Sequence, residues 1–170
     1  NDVTDIKLEQ LRRNIALVPQ EGYLFTETLS ENIKYGNPEA STEKVLESAN
    51  EARMTDDIKG FPDGLKTLVG ERGITLSGGQ RQRTALSRAL LVDSKIIVLD
   101  DALASVDNKT ASAILQTIKN QYSKTVLMIS HQLSAAAACD RILVMNDGKI
   151  VQEGTHQFLI KKEGLYKSMW

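Results

Sequence analysis

Continuous apolar runs alternate with helically spaced apolar residues in the second half of the chain. Residues 95–99 and 125–129 are two such runs, and uninterrupted apolar strands are typical of a parallel sheet. Between them, Ala113, Ile114 and Ile118 recur at the spacing of one helix face, which predicts a helix over 110–121. Because strand, helix and strand follow one another, the pattern predicts an α/β fold on a parallel sheet in which both strands are buried.

In the first half of the chain, helical spacing dominates. Residues 15–18 form a short apolar run that ends at Pro19, which predicts one further buried strand. From about residue 28 to residue 91 the pattern is mainly that of helices, and it predicts helices over 28–33, 41–52 and 78–91. We therefore predict that a mainly helical subdomain is inserted between the first strand and the other two.

The C-terminal part is predicted to contain a β-hairpin with helical segments on either side. Apolar strands over 141–145 and 149–152 flank Asn146-Asp147-Gly148, a turn sequence typical of hairpins. An alanine-rich helix is predicted over 134–140, and helical structure is predicted from residue 154 to the end.

Composition narrows the class of protein. The chain has 170 residues, 41% of them hydrophobic and 25% charged, which fits one globular domain. Its net charge of −1 gives no bulk attraction to nucleic acid or to anionic membranes. Cys139 is the only cysteine, so an internal disulfide is excluded and a reducing compartment is indicated. No apolar run has the length of a membrane span. Because the chain starts at Asn1 and not at a methionine, we predict that it is a piece of a longer polypeptide.

The segment Leu76-Ser77-Gly78-Gly79-Gln80 places a serine and two glycines where a helix is predicted to begin. The N-terminus of a helix exposes free N–H groups and a partial positive charge, and glycines let a phosphate approach that backbone. A plain serine cap at the start of a helix is the alternative interpretation of this segment.

Polar residues also follow each of the predicted parallel strands. Gln20 follows Pro19, Asp100 and Asp101 end the second strand, and His131 comes after Ile129-Ser130. An acid at the end of an apolar strand is expected to be ionised and to need a partner, although Asp100 could also cap a following helix. A lone histidine is more often structural than functional, and Gln20 could be a surface residue.

Taken together, these segments resemble the nucleotide-binding domains of ABC transporters. Five motifs stand in the family's order: the Q-loop at 18–21, the LSGGQ signature at 76–80, the Walker B strand at 96–100, the D-loop at 104–107 and the switch histidine His131. The segments 31–36 and 69–73 are similar to exporter-type members of the family. The resemblance covers the whole chain.

The resemblance implies a P-loop NTPase-like α/β core with a helical subdomain, and an N-terminal part that is missing. It divides the chain into 1–27, the end of the core with the Q-loop; 28–91, the helical subdomain with the signature; and 92–170, the core with the remaining motifs. The Walker A P-loop is absent from this sequence and is expected before Asn1.

The family's chemistry implies ATP and Mg²⁺ as ligands, with a role for each matched position. Asp101, His131 and Gln20 are the expected catalytic residues, and Asp100 and Gln20 the expected magnesium ligands. The expected nucleotide-binding residues belong to the signature and the D-loop, and they are Leu76, Ser77, Gly78, Gly79, Gln80 and Asp107.

Asp101 departs from the family, whose active members mostly carry glutamate there as the base that polarises water. Aspartate is one methylene shorter, and general-base help is worth about 10²–10⁴-fold in rate. In heterodimeric exporters of bacteria, one subunit has this aspartate beside an intact signature. The resemblance therefore implies a degenerate site on this chain, with its signature serving the partner's site, unless Asp101 is sufficient for hydrolysis.

The implied protein is an ABC exporter ATPase at the cytoplasmic face of a membrane. Its implied partners are a transmembrane domain of the same polypeptide and a second ABC subunit, identical or, more in keeping with Asp101, different; no nucleic-acid partner is expected. The isolated fragment is expected to be inactive. Two alternatives remain open: a soluble ABC-family ATPase without transport, and a regulatory nucleotide-binding subunit.

Overall fold

The structure is a computed structural model, and it describes residues 2–121 and 124–170. The chain divides into two compact units, Asn1–Ile129 and Ser130–Trp170.

The first unit contains a three-stranded parallel sheet, as the apolar runs predict. Its strands are β1 (Ile15–Val18), β2 (Ile96–Asp100) and β3 (Thr125–Ile129), and their order in the sheet is β1-β2-β3. Val18 lies beside Leu99, and Asp100 lies beside Ile129. Since all three strands run in the same direction, their carboxyl ends meet at one edge of the sheet.

Helices occupy most of the remainder of this unit. They are α1 (Leu8–Arg13), α2 (Leu29–Lys34), α3 (Thr42–Glu51), α4 (Thr55–Gly60), α5 (Gly78–Leu90) and α6 (Asn108–Gln121). Short 3-10 turns lie at Val3–Asp5, Gly64–Lys66 and Glu71–Gly73. The predicted helices α2, α3, α5 and α6 are confirmed within about two residues, whereas α1 and α4 were not predicted.

The core lies on one face of the sheet. Ala16, Val18, Ile97 and Leu99 are buried there, together with apolar residues of α5 and α6. On the opposite face Leu17 is 58% exposed and Leu127 is 53% exposed. The expectation that 125–129 is a buried strand is therefore wrong: within the described part of the first unit, the core helices α5 and α6 pack on the face of the sheet opposite to Leu17 and Leu127.

The second unit is built around an antiparallel hairpin. Strand β4 (Ile142–Asn146) pairs with β5 (Lys149–Gly154), and the turn between them has positive φ at Asp147 and Gly148. Helices α7 (Leu133–Ala137), α8 (His156–Leu159) and α9 (Leu165–Met169) complete the unit. Its small core contains Ile142, Val144, Leu159 and Tyr166. The hairpin prediction is confirmed, and the predicted C-terminal helical segment is two short helices.

Among the helices of the described residues, none combines the length and the apolar character needed to cross a bilayer. The division of the chain at residues 27/28 and 91/92 stays a prediction.

Candidate nucleotide site

Three of the predicted site residues follow adjacent parallel strands. Asp100 is the last residue of β2 and is half-buried, Asp101 comes directly after it, and the exposed Gln20 comes two residues after β1. Ligand sites of open parallel sheets lie at the carboxyl ends of the strands. The structure therefore places these three residues at the edge where such chemistry is expected.

The backbone of Asp101 has an uncommon conformation. Its φ is 45°, in the left-handed region that side-chain-bearing residues other than Asn, Asp and His rarely adopt. Its N–H donates to the carbonyl oxygen of Ile129 at 2.9 Å, and its carbonyl oxygen accepts from the N–H of Ala104 at 3.1 Å. These two hydrogen bonds connect the end of β2 to the end of β3 and to the loop that follows.

His131 lies in the second unit, two residues beyond the last residue of β3, and it is exposed. Its assignment as the switch histidine rests on the order of the motifs along the chain.

The signature segment forms the N-terminus of α5, as predicted. Ser77 is the N-cap, and its Oγ accepts from the N–H of Gln80 at 3.2 Å. In return, Oε1 of Gln80 accepts from the N–H of Ser77 at 2.8 Å, which completes a capping box. Gly78 and Gly79 are the first two helical residues, whose N–H groups have no acceptor within the helix. Ser77 is exposed, while Leu76 is buried in the core.

The other end of the Gln80 amide is also bound within the chain. Its Nε2 donates to Oδ1 of Asp57 in α4 at 2.9 Å. Oδ2 of the same carboxylate pairs with Nη2 of Arg83 at 2.6 Å, and the Arg83 and Asp57 side chains are only 13% and 19% exposed. The Gln80 side chain therefore links the N-cap of α5 to α4.

The loop after β2 packs directly on the start of α5. The N–H of Ser105 donates to Oε1 of the buried Gln82 at 2.8 Å. A Cβ added to Gly79 would lie 3.0 Å from the carbonyl oxygen of Ser105. A side chain at this position would therefore crowd the loop after β2. The predicted signature and the predicted D-loop are in contact within one chain.

Asp107 ends that loop and caps α6. Its Oδ1 accepts from the N–H of Thr110 at 3.0 Å, and this hydrogen bond lowers the pKa of the Asp107 carboxyl below its usual value. The carboxylate is exposed, so its second oxygen remains accessible.

A buried asparagine and an arginine hold the segment after the Q-loop. Asn32 accepts from the N–H of Phe25 at 2.8 Å and donates to the carbonyl oxygen of Phe25 at 3.0 Å. Arg88 of α5 donates to the backbone carbonyls of Asn32 and Tyr23, and its guanidinium lies over the rings of Phe25 and Tyr35. Burial lowers the pKa of Arg88, and Tyr35 opposes this shift.

Sequence reasoning missed Asp57, Gln82 and Asn32 as residues that hold the segments of the site. A signal for Gln82 was present, because it precedes Leu86 by four positions and therefore lies on the same side of α5. Asp57 gave no such signal, since its partners are more than twenty residues away along the chain.

The residues present fit Mg²⁺ bound with a phosphate. Asp100 and Gln20 offer carboxylate and amide oxygens, which magnesium prefers. Within the described ranges no group of three or more His, Cys, Asp or Glu side chains could hold a metal. Magnesium sites commonly use one or two protein oxygens, and phosphate and water complete the coordination.

A family comparison decides what this arrangement belongs to. The model of the family described as "ABC transporter" matches residues 1–104, which is more than half of the chain. The chain belongs to the ABC transporter family. The resemblance inferred from the motifs is thereby confirmed.

Individual ABC proteins extend the match to the full length of the chain. ABC transporter B family member 24, mitochondrial, of Arabidopsis thaliana is 44% identical over 170 residues, which is 99% of this chain and 25% of that protein. The ATP-dependent lipid A-core flippase of Chromobacterium violaceum is 42% identical over 165 residues, 96% of this chain and 28% of that protein. The chain thus spans only 25% and 28% of the length of these two curated relatives.

A solved ABC structure shows the same fold. The structure of a bacterial Atm1-family ABC exporter with ATP bound superposes with a TM-score of 0.96 at 37% identity, covering 100% of this chain and 30% of that one. The α/β parallel-sheet fold of the ABC ATPase and the exporter-type relationship predicted from the sequence are therefore confirmed.

Proposed function

We propose that the chain is the ATP-binding and ATP-hydrolysing part of an ABC exporter subunit that works as a dimer. ATP lies between two such domains, and closing the pair moves attached transmembrane helices. The observation that carries the proposal is the N-terminus of α5: a capping box fixes Ser77, and the exposed Ser77 hydroxyl and the first helical N–H groups are available to a phosphate of the partner's nucleotide.

The carboxyl edge of the sheet supplies this chain's contribution to its own nucleotide. Asp100 and Gln20 are the proposed magnesium ligands, and bound Mg²⁺ would neutralise charge that develops on the phosphates. Asp101 is the proposed base for the attacking water, and His131 is its proposed helper at the terminal phosphate. Asp107 is the proposed D-loop contact to the partner.

The short side chain of Asp101 supports a dimer whose two ATP sites hydrolyse at different rates. General-base catalysis raises a reaction rate by about 10²–10⁴-fold, and a base that lies too far from its water loses part of this rate enhancement. The left-handed backbone of Asp101, held by hydrogen bonds at both its N–H and its carbonyl oxygen, limits how far that carboxylate can move. We infer that this chain's own site hydrolyses slowly, that its signature serves a competent site on a different subunit, and that the isolated chain is inactive.

ATP turnover by the full-length parent protein tests this proposal, comparing the native protein with Asp101→Glu. A nearly silent native protein that gains at least tenfold in kcat from Asp101→Glu supports the degenerate site. Brisk native turnover would reject the degenerate site and favour a self-sufficient homodimer.

If both proteins are silent, turnover is measured again with candidate partner ABC subunits co-purified. If no ATP turnover is measured even then, although nucleotide is bound, the result would favour a regulatory nucleotide-binding subunit, an alternative with which Asp101 is also consistent. The membrane location and the transported substrate would be determined by other parts of the full-length parent protein. The exporter-type relatives favour an exporter over a soluble ATPase.

A further inference from the structure

We propose that Asp57 is a positioning residue that sets the geometry of the signature turn, and that Gln80 acts as its intermediary. The inference rests on the proposed function of that turn. It assigns a role to a side chain on α4, outside every motif that the sequence singled out.

The first step is the orientation of the Gln80 amide. An ionised carboxylate only accepts hydrogen bonds, so Asp57 can be approached by the NH₂ end of the amide and not by its oxygen. Nε2 of Gln80 donates to Asp57 at 2.9 Å, which leaves Oε1 directed at the N–H of Ser77 at 2.8 Å. Asp57 therefore determines which end of the amide completes the capping box.

The second step is the anchoring of Asp57 itself. Its other oxygen pairs with Nη2 of Arg83 at 2.6 Å, with both side chains largely shielded from solvent. Charge-assisted hydrogen bonds of this kind are short and directional. Because Arg83 lies one turn beyond Gln80 on α5, the carboxylate holds two successive positions of the same helix.

The third step is the path to the phosphate-binding atoms. Ser77 provides the exposed hydroxyl of the signature, and its backbone N–H is held by Gln80. On the far side of the turn, Gly79 lies against both Arg83 and the Ser105 carbonyl. The turn is thus held between α4 on one side and the loop after β2 on the other.

A donor–acceptor exchange tests the proposal in the full-length protein. Asp57→Asn removes the charge and allows the Gln80 amide to rotate by 180°, so that its oxygen and nitrogen exchange places. Gln80→Glu alone places two carboxylates against each other. The double variant Asp57→Asn/Gln80→Glu restores one donor facing one acceptor, and the introduced glutamate can still accept from the N–H of Ser77. Asp56→Asn is the matched control, because Asp56 is the exposed neighbour on the same helix.

Two readouts are measured for each protein. Hydrogen exchange of peptides that cover 76–82, without nucleotide, reports the order of the turn. Steady-state kcat and KM for Mg-ATP are measured in the catalytically competent assembly. Each single variant is expected to speed exchange and to lower kcat roughly tenfold, the size expected for losing a hydrogen bond to a charged group. The double variant is expected to recover most of both effects, with Asp56→Asn unchanged throughout.

The two readouts separate failure of this inference from failure of the proposed function. Unchanged exchange in both single variants would overturn the positioning role, whatever the turnover. Faster exchange with unaltered kcat would overturn its consequence for hydrolysis. Loss in the single variants without recovery in the double variant would show general damage instead of an oriented amide. If no assembly hydrolyses ATP, the proposed function fails, while the exchange data still decide the orientation of Gln80.

Discussion

At the scale of single residues, buried polar side chains determine how the loops around the site are held. Asn32 is fully buried, yet its side chain pairs with the backbone of Phe25 and Thr28 and with the guanidinium of Arg88. Buried amides of this kind are favourable only while every donor and acceptor has a partner. The segment that follows the Q-loop therefore depends on one side chain of α2.

Asn32→Ala is expected to lower the free energy of unfolding by about 2 kcal/mol, since it leaves the N–H of Phe25 without its acceptor and removes an acceptor from Nη2 of Arg88. Urea unfolding of the isolated chain measures this as a lower midpoint at unchanged slope. Asn120→Ala, at an exposed helical position, is the control and should stay within about 0.5 kcal/mol of the native chain. Equal effects of the two substitutions would contradict the assignment.

Gly36 and Gly60 provide a second comparison. A Cβ on Gly36 would lie 2.1 Å from the carbonyl oxygen of Arg88, whereas nothing lies within 4 Å of a Cβ on Gly60. We expect Gly36→Ala to cost about 2 kcal/mol through overpacking against the backbone of α5. Gly60→Ala should be neutral or stabilising by about 0.5 kcal/mol. Thermal unfolding of both variants checks the order of stability.

At the scale of elements, comparing two serine N-caps distinguishes an effect on stability from an effect on activity. Ser41 caps α3 and Ser77 caps α5 with the same side-chain geometry, each accepting from the N–H three residues on. Ser41→Ala and Ser77→Ala are each expected to cost the isolated chain about 1 kcal/mol. Only Ser77→Ala should also lower ATP turnover in the full-length assembly. A comparable loss of turnover with Ser41→Ala would mean that the cap alone explains the effect.

The same caps explain which helices sequence reasoning could find. Helices α3 and α5 each follow a serine N-cap and carry an apolar face, so both were predicted to begin within one residue of where they do. Helices α1 and α4 have six residues each, and no side-chain hydrogen bond caps either N-terminus. Their stability comes from packing, which leaves no local pattern to detect. Asp57, the anchor of the signature turn, lies on one of these unpredicted helices.

At the scale of the whole molecule, burial could not be predicted from apolar runs. An apolar run shows that a strand has apolar residues on both of its faces. It does not show which face is covered by the rest of the chain. The motifs correctly predicted that Asp100 and Asp101 lie at a strand end and the signature at a helix N-terminus, while the roles of these residues stay predictions. The contacts between those parts arise from tertiary packing, as with Gln82 and Ser105.

The uncovered face of the sheet leads to a prediction for the isolated chain. Leu17, Val98 and Leu127 form one row across the three strands, and the outer two are more than half exposed. Leu127→Thr places a β-branched residue, which suits a strand, at this exposed position and should change stability by less than about 0.5 kcal/mol. It should lower binding of a hydrophobic dye. Leu99→Thr, on the buried face, should cost about 2 kcal/mol or more. Equal dye binding by the native chain and Leu127→Thr would contradict the exposed row.

The pairing of Ile15 with Ile96 joins two strands that helices α2–α5 separate along the chain. Contacts between distant parts of a sequence form slowly, whereas contacts within a short segment form quickly. We therefore expect α2–α5 to condense first and to draw the two strands together. Each halving of the effective loop then saves about 0.6 kcal/mol of closure entropy. Pulse-labelled hydrogen exchange during refolding should show protection of α5 amides before those of β1.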